Sequence, residues 1–360
     1  MRLKSELPLV EHRPFIPRSF RMQWHIIDRC NLRCAHCYQE QYQSPDPSLA
    51  FLLQVLEQYE ETLDWLSRQG GKSLPGMITV TGGEPFLHSE LFDLLERIVA
   101  SQLQIDFAVL TNGTMITGKV AKRLSRLRPR YVQVSLDGAP DTHDQIRGQG
   151  AFAAALAGLD QLRRVGIRTV VSFTVSRLNC NDFGTVVRLA RAHGIDQVWS
   201  DRLIPTTPQQ EAWSLSPQET NEFFEQMNVA RQECEAARRF FSWQRLFGKG
   251  SRTEVTMRRA GQFLTAGGPA YRCAAARSLV AVLPDGTLLP CRRMPIPIGR
   301  LSETSLLNLY CNSPIFKELR RVVNPCPTCP FGRVCQGGLR CLAYAVHGTP
   351  FAPDPGCPLR

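Results

Sequence analysis

The sequence has 360 residues, 43% of them hydrophobic and 21% charged, which excludes a disordered chain and exceeds what one compact core usually holds. Its net charge of +11 suits an acidic partner, but it is equally compatible with an ordinary solvated basic surface. No apolar run reaches about 18 residues and the first residues lack a signal-peptide core, so we expect a cytoplasmic protein without a membrane span.

Strand-like and helix-like segments alternate through the first two thirds of the chain, with short connections. The predicted strands cover residues 22–28, 77–81, 105–110, 131–136, 168–175 and 197–203. The predicted helices cover residues 48–68, 90–100, 119–127, 152–165 and 183–193. These units predict an α/β fold, a partial (β/α)6 barrel with its chemistry at the carboxyl ends of the strands.

The composition changes along the chain, and this predicts four segments. Residues 1–20 form an N-terminal arm, 21–204 the barrel, 205–265 a mostly helical connector and 266–360 a small Cys-rich domain. The last segment has little apolar periodicity, so metal must stabilise it. Thirteen cysteines in a reducing compartment likewise indicate metal binding rather than disulfides.

The first cysteine cluster, Cys30, Cys34 and Cys37, directly follows the first predicted strand. Three thiolates on one short loop can bind three irons of a [4Fe–4S] cluster and leave the fourth iron open. The alternative is a zinc site with His36 as the fourth ligand, but His36 lies between two of the cysteines on the same loop.

This CxxxCxxC motif resembles the signature of the radical S-adenosylmethionine (SAM) superfamily. The resemblance implies that SAM chelates the open iron and that one electron, from a flavodoxin or ferredoxin, cleaves its sulfonium. The resulting 5′-deoxyadenosyl radical would abstract a hydrogen from the substrate, with the cofactor supplying the difficult chemistry. Cys30, Cys34 and Cys37 would then be the catalytic metal ligands.

Further motifs match that family and imply a SAM site. The turn after the second strand resembles the one that receives the methionine amino group, and a serine and an arginine near the fourth strand match residues that contact ribose or carboxylate. The implied SAM-binding residues are His36, Gly82, Gly83, Glu84, Pro85, Asn112, Ser135 and Arg147. Two alternatives remain: Arg147 could form a surface salt bridge, and Asn112 could belong only to a turn.

The C-terminal cysteines resemble a SPASM domain, an extension that carries auxiliary [4Fe–4S] clusters. The resemblance implies an inner cluster held by Cys273, Cys291 and Cys341 and an outer cluster held by Cys326, Cys329, Cys335 and Cys357. Seven thiolates for two clusters leave the inner one with an open iron or a non-cysteine ligand. Zinc remains an alternative, because Cys326 and Cys329 form a CxxC pair.

Two features depart from the family pattern. Five residues separate Cys335 from Cys341 where three are usual, and Arg292 follows Cys291 where sulfatase-maturing members have an acid. The second departure argues against formylglycine formation. A hairpin is also predicted around Pro284, Asp285 and Gly286.

The resemblance favours an enzyme that modifies a ribosomally made peptide or protein, by a crosslink, a thioether or an oxidation. Its partner would be a precursor peptide, with a separate recognition protein as one route to binding. The alternative is a small-molecule substrate such as a tetrapyrrole side chain, for whose carboxylates the arginines 292, 293, 320 and 321 are suited. A zinc-bound nucleic-acid binder and a plain electron carrier explain fewer of the motifs.

Overall fold

The computed structural model describes residues 14–39, 41–241 and 253–360. Residues 1–13 of the predicted arm and 242–252 of the predicted connector lie outside the described residues. The chain divides into two compact units. The first comprises Met1–Asn31, Gln39–Leu110 and Ala274–Val322, and the second comprises Leu32–Tyr38, Thr111–Cys273 and Val323–Arg360.

The six predicted strands and five predicted helices are all present, within three residues at each end. The strands are β1 Phe20–His25, β2 Gly76–Thr81, β3 Ile105–Thr111, β4 Tyr131–Ser135, β5 Thr169–Val175, β6 Gln197–Arg202, β7 Glu254–Thr256, β8 Leu279–Val282, β9 Thr287–Leu289 and β10 Gly299–Arg300. The α-helices are α1 Leu49–Gln69, α2 Leu91–Val99, α3 Gly118–Leu127, α4 Pro140–Arg147, α5 Ala151–Arg164, α6 Phe183–Ala192, α7 Pro208–Ala212, α8 Pro217–Phe241, α9 Phe263–Ala266, α10 Leu306–Asn312, α11 Pro314–Arg320, α12 Gly332–Cys335 and α13 Arg340–His347. No helix in the described part of the chain has the length and apolarity needed to cross a membrane.

The first unit is built on strands in the order β10-β9-β8-β1-β2-β3. β1 pairs in parallel with β2 on one side and with β8 on the other, and β8 and β9 form the predicted antiparallel hairpin. Gly286 occupies the turn with φ of +80°, a conformation that glycine adopts without strain. The β1–β8 pairing was not predicted from the sequence, because it joins segments far apart along the chain.

Aromatic side chains fix α1 against the sheet of the first unit. Phe20 stacks on Tyr59 with ring centroids 5.4 Å apart, and Tyr310 packs edge-on against Phe20 at 5.0 Å. The Tyr59 hydroxyl donates to the Phe20 carbonyl at 2.7 Å and accepts the Met77 N–H at 2.9 Å. The buried hydroxyl is therefore satisfied on both sides, which makes its burial favourable.

The second unit contains the parallel strands β4, β5, β6 and β7 in that order. Side chains alternate between the two faces of a strand, so laterally paired residues share a face. One face is mainly apolar and carries Val134, Val171 and Val198, which are aligned across three strands. The opposite face carries the aligned residues Ser135, Ser172 and Trp199. The second face is therefore the one available for polar chemistry.

Candidate active site

The second half of the cysteine loop is held by backbone contacts within the second unit. The Ala35 N–H donates to the Ile146 carbonyl at 2.8 Å. The Gln210 side-chain amide, at the start of α7, donates to the carbonyls of Ala35 and Cys37 at 3.1 and 3.2 Å. Gln210 is buried, and its position could not be found from the sequence because no motif includes it. It fixes the loop on which Cys34 and Cys37 lie.

Arg147, the last residue of α4, lies beside the cysteine loop. Its Nε is 2.6 Å from Asp137 Oδ2, its Nη2 is 2.5 Å from the same oxygen, and its Nη1 is 3.7 Å from Cys34 Sγ. The side chain of Arg147 is only 10% exposed, and that of Asp137 is fully buried. The surface salt-bridge interpretation of Arg147 is therefore wrong.

The Asp137–Arg147 pair stays ionised although it is buried. Burial by itself would raise the pKa of Asp137, but the charges of Arg147 and His36 outweigh it and lower that pKa below its usual range. Burial would lower the pKa of Arg147, but Asp137 and the thiolate of Cys34 raise it above its usual value. The guanidinium is therefore a permanent, oriented donor beside two cysteines.

His36 contacts the same carboxylate from the cysteine loop. Its Nε2 is 3.2 Å from Asp137 Oδ2, and its side chain is 11% exposed. Its Nδ1 is buried and has no hydrogen-bond partner among the described residues. Buried polar atoms are usually satisfied, so an unpartnered ring nitrogen on the loop that carries Cys34 and Cys37 fits a site built for a polar ligand.

His143 also contacts Asp137, through its backbone. Its Nδ1 accepts the Asp137 N–H at 3.1 Å, which requires that nitrogen to be unprotonated. Burial, assisted by the positive charge of Arg147, lowers the pKa of His143 to about 4. His143 is therefore neutral in the folded protein near pH 7.

The two glycines after β2 allow a close backbone approach in the first unit. The Gly83 N–H donates to the Ile27 carbonyl at 2.8 Å, and the Glu84 N–H donates to the Arg29 carbonyl at 2.9 Å. A Cβ on Gly82 would lie 2.4 Å from the Ile27 oxygen, and one on Gly83 would lie 2.3 Å from the Arg29 oxygen. No larger residue fits, so the turn is matched to the segment that leads into Cys30.

The structure places the other residues of the predicted SAM site as follows. Glu84 is fully buried and accepts the Phe86 N–H at 3.2 Å, and Pro85 begins a short 3-10 helix. Asn112 accepts the Thr114 N–H at 2.9 Å, which establishes its role in a turn. Ser135 ends β4 on the polar face. Contact of any of them with SAM stays a prediction.

Four C-terminal cysteines act on one another electrostatically within the second unit. Burial raises the pKa of the Cys335 thiol to about 11, with further contributions from Cys357 and Cys326. Burial also raises the pKa of Cys326, and Cys329 adds to it. The predicted ligands of the outer cluster therefore lie near one another. Four thiols are the donors that a [4Fe–4S] cluster uses, so the chemistry of this set fits the predicted cluster.

The predicted inner set is divided between the units. Cys273 and Cys341 belong to the second unit, and both act on the hydroxyl of Tyr271. Cys291 belongs to the first unit, so its grouping with them stays a prediction. Within residues 14–39, 41–241 and 253–360, no three His, Cys, Asp or Glu side chains are arranged around a single metal-ion position. Within the described residues, none of the thirteen cysteines forms a disulfide bond.

A buried ion pair that sequence reasoning missed organises the segments bearing the outer cysteines. Arg202, at the end of β6, donates to Asp354 at 2.9 and 2.5 Å, and each residue is 4% exposed. Asp354 also accepts the N–H groups of Leu339 and Gly356 at 2.9 and 3.0 Å. No sequence signal marks this pair, because its members are 152 residues apart.

Arg320 makes contacts inside the fold, so the prediction that it suits substrate carboxylates is wrong. Its guanidinium lies 4.1 Å from the centroid of the Tyr310 ring and donates to the carbonyls of Ala276 and Tyr310 at 2.8 and 2.7 Å. Burial lowers its pKa. Its donors are used within the fold of the first unit.

Two protein-family models match this chain. The model of the Radical SAM superfamily matches residues 24–192, and the model of the SPASM iron–sulfur cluster-binding domain matches residues 273–330. The chain belongs to the radical SAM superfamily. It is an enzyme that binds SAM and iron–sulfur clusters, and its SPASM domain is C-terminal.

Several curated proteins are similar to this radical SAM chain along most of its length. An AdoMet-dependent heme synthase from Methanosarcina barkeri is 26% identical, over 93% of the chain and 95% of that protein. A pre-heme d1 synthase from Dinoroseobacter shibae is 28% identical, over 93% of the chain and 85% of that protein. A mycofactocin maturase, MftC, from Mycolicibacterium smegmatis is 27% identical, over 93% of the chain and 82% of that protein.

Two solved structures have the same fold. SuiB from Streptococcus suis, bound to S-adenosylmethionine, superposes with a TM-score of 0.70 and 14% identity, over 94% of the chain and 77% of SuiB. The enzyme anSMEcpe, with bound AdoMet, superposes with a TM-score of 0.70 and 17% identity, over 94% of both chains. The predicted α/β radical SAM fold with a C-terminal SPASM domain is confirmed.

Proposed function

We propose that Cys30, Cys34 and Cys37 hold a [4Fe–4S] cluster and that this enzyme uses it with SAM to abstract a hydrogen from its substrate. When bound, the cluster and SAM supply a one-electron cleavage of the sulfonium and a carbon radical. The observation that carries this proposal is the buried Asp137–Arg147 pair, whose guanidinium lies 3.7 Å from Cys34 Sγ.

The residues around the loop provide orientation. Asp137 fixes Arg147, whose Nη1 edge points to the cysteine side and suits the carboxylate of SAM. His36 presents a buried, unpartnered Nδ1 on the same loop and suits a polar edge of the adenine. Gly82, Gly83, Glu84 and Pro85 form the turn proposed to receive the amino group, and Asn112 and Ser135 complete the SAM site.

The SPASM cysteines are proposed to hold two auxiliary [4Fe–4S] clusters. Cys326, Cys329, Cys335 and Cys357 supply four thiolates to the outer one, and their mutual electrostatic influence supports this grouping. Cys273, Cys291 and Cys341 supply three to the inner one. Its remaining iron would be open to a substrate heteroatom or bound by a non-cysteine ligand.

The proposed substrate is a ribosomally made peptide or protein. Support comes from the similarity to the mycofactocin maturases and from the shared fold with SuiB, which has been solved with its precursor peptide SuiA. A precursor peptide, with or without a separate recognition protein, and a low-potential flavodoxin or ferredoxin would be the partners.

A tetrapyrrole is the second candidate substrate. The specific observation in its favour is that the similarity to the M. barkeri heme synthase covers 95% of that enzyme and 93% of this chain. The neighbourhood of the gene separates the candidates: a short peptide gene favours the first, and a set of tetrapyrrole genes favours the second.

Anaerobic reconstitution of the wild type and Cys34→Ala tests the cluster assignment. The wild type should bind about 12 irons and form 5′-deoxyadenosine with dithionite and SAM, because three four-iron clusters are expected. Cys34→Ala should keep auxiliary iron and form no 5′-deoxyadenosine. Cys180→Ala is the matched control, since this half-buried thiol belongs to neither predicted set. SAM cleavage by Cys34→Ala would refute the assignment.

A further inference from the structure

Arg259 lies outside every motif, yet its guanidinium is fixed on the polar face of the second unit. Its central carbon is 4.3 Å from the centroid of the Trp199 ring, a cation–π distance. Its Nε is 3.7 Å from Asp201 Oδ2, and its side chain is 36% exposed. The guanidinium is therefore oriented while remaining accessible.

Trp199 provides a rigid platform for this arginine. The indole Nε1 donates to Gln133 Oε1 at 3.1 Å, which links β6 to β4 across the same face. Trp199 is aligned with Ser172, and Ser172 with Ser135. Two strand spacings separate Trp199 from Ser135, roughly 10 Å. Arg259 thus stacks on a residue of the sheet face that also carries Ser135, a residue of the proposed SAM site.

The donors of Arg259 are largely unused. The 3.7 Å separation from Asp201 is longer than a hydrogen bond, and neither terminal nitrogen donates one to any of the described residues. A guanidinium presents five N–H donors in a planar fork that matches a carboxylate. Stacking on Trp199 already restricts the rotamers of Arg259. Binding a carboxylate therefore costs less side-chain entropy.

We propose that Arg259, stacked on Trp199, binds a carboxylate group of the substrate. This inference rests on the proposed function, because it places the substrate on the same sheet face as the SAM site. The carboxylate comes either from an acidic residue of a peptide or from a propionate of a tetrapyrrole. Arg259 is a specificity residue in both cases, and Asp201 and Trp199 position it.

The test compares reconstituted full-length wild type with Arg259→Gln and with the matched control Arg258→Gln, whose native side chain is exposed. The probes are coproporphyrin III, its tetramethyl ester, a fluorescent glutamate-rich decapeptide and its glutamine analogue. Affinity is measured by fluorescence titration. Arg259→Gln should lower the affinity for the carboxylate probe that represents the true substrate class at least tenfold, because a charge-assisted hydrogen bond is lost.

The other measurements distinguish the possible results. Arg258→Gln should change affinity less than twofold, and the ester or glutamine probe should bind wild type and Arg259→Gln alike. Loss of coproporphyrin binding identifies a propionate, and loss of peptide binding identifies an acidic side chain. Unchanged affinity in Arg259→Gln, or no binding of either carboxylate probe to wild type, overturns the proposal. Formation of 5′-deoxyadenosine without substrate, measured in parallel, tests the proposed function separately.

Discussion

Asp137 joins the cysteine loop, α4 and β5 through one buried carboxylate. Oδ2 faces Arg147 and His36, while Oδ1 accepts the Thr174 N–H at 2.7 Å. A buried charge is tolerable only when it is paired and hydrogen-bonded, and both carboxylate oxygens of Asp137 have such partners. The orientation of Arg147 therefore depends on this residue.

Replacing this carboxylate by its amide is predicted to impair SAM binding. In Asp137→Asn the guanidinium of Arg147 loses its buried counter-charge, and breaking such a pair typically costs about 3–5 kcal/mol. We expect the KM for SAM to rise at least tenfold while the iron content stays unchanged. Asp141→Asn, an exposed position in α4, is the control. An unaltered KM in Asp137→Asn would contradict the positioning role.

His143 is predicted to make stability depend on pH. Its pKa is about 4 in the folded protein and about 6.5 when unfolded, so the unfolded state binds more protons between these values. Stability therefore falls as pH decreases from about 6.5 towards 4, by about 2 kcal/mol between pH 7 and pH 5.

Urea unfolding of wild type and His143→Gln at pH 7 and pH 5 measures this contribution. Glutamine retains an acceptor for the Asp137 N–H but does not titrate, so the variant should lose less stability on acidification. His347→Gln, at an exposed position, should behave as wild type. Equal losses in wild type and His143→Gln would count against the assignment.

At the scale of elements, the Arg202–Asp354 pair connects β6 to the segments that carry the outer cysteines. The Asp354 N–H donates to the Gly337 carbonyl at 3.0 Å, and the Cys357 N–H donates to the Asp354 carbonyl at 3.2 Å. A Cβ on Gly338 would lie 2.6 Å from Asp354 Oδ2. The local backbone is therefore built around this carboxylate.

Asp354→Asn is predicted to release the outer auxiliary cluster selectively. The amide nitrogen would face a backbone N–H that now donates to a carboxylate oxygen, and Arg202 would lose its counter-charge. We expect a loss of about four irons per chain, with 5′-deoxyadenosine formation retained. Glu219→Gln, in the exposed pair with Arg177, should retain all iron. Full iron retention in Asp354→Asn would exclude this role.

At the scale of the whole molecule, metal is predicted to stabilise the C-terminal segment 323–360. In this segment the structure shows only the short helices α12 and α13, and its buried apolar residues are few. Seven of the chain's cysteines are proposed cluster ligands in the SPASM region, so the proposed clusters would act as crosslinks there.

Anaerobic iron removal should therefore expose this segment to trypsin. Cleavage after Arg333 and Arg340 is expected to accelerate at least tenfold, whereas cleavage within β4–β6 should remain slow, because those strands have an apolar core of their own. Mass mapping of the fragments gives both rates. Equal protection with and without iron would show that packing alone stabilises the segment.

The sequence by itself determined the order of strands and helices, because hydrophobic periodicity is local and each β/α unit repeats it. It also predicted a site at Cys30, Cys34, Cys37 and the turn at Gly82, since those features are contiguous motifs. For Gly82 and Gly83 the structure adds the reason, a backbone approach too close for a Cβ.

Only the tertiary structure decided which distant residues meet. Gln210 reaches the cysteine loop from more than 170 residues away, and Arg202 meets Asp354 across 152. The pairing of β8 with β1, the stacking of Arg259 on Trp199 and the structural use of Arg320 are likewise long-range. Such contacts are set by packing between elements and by the pairing of buried charges, which leave no periodic or contiguous trace in the sequence.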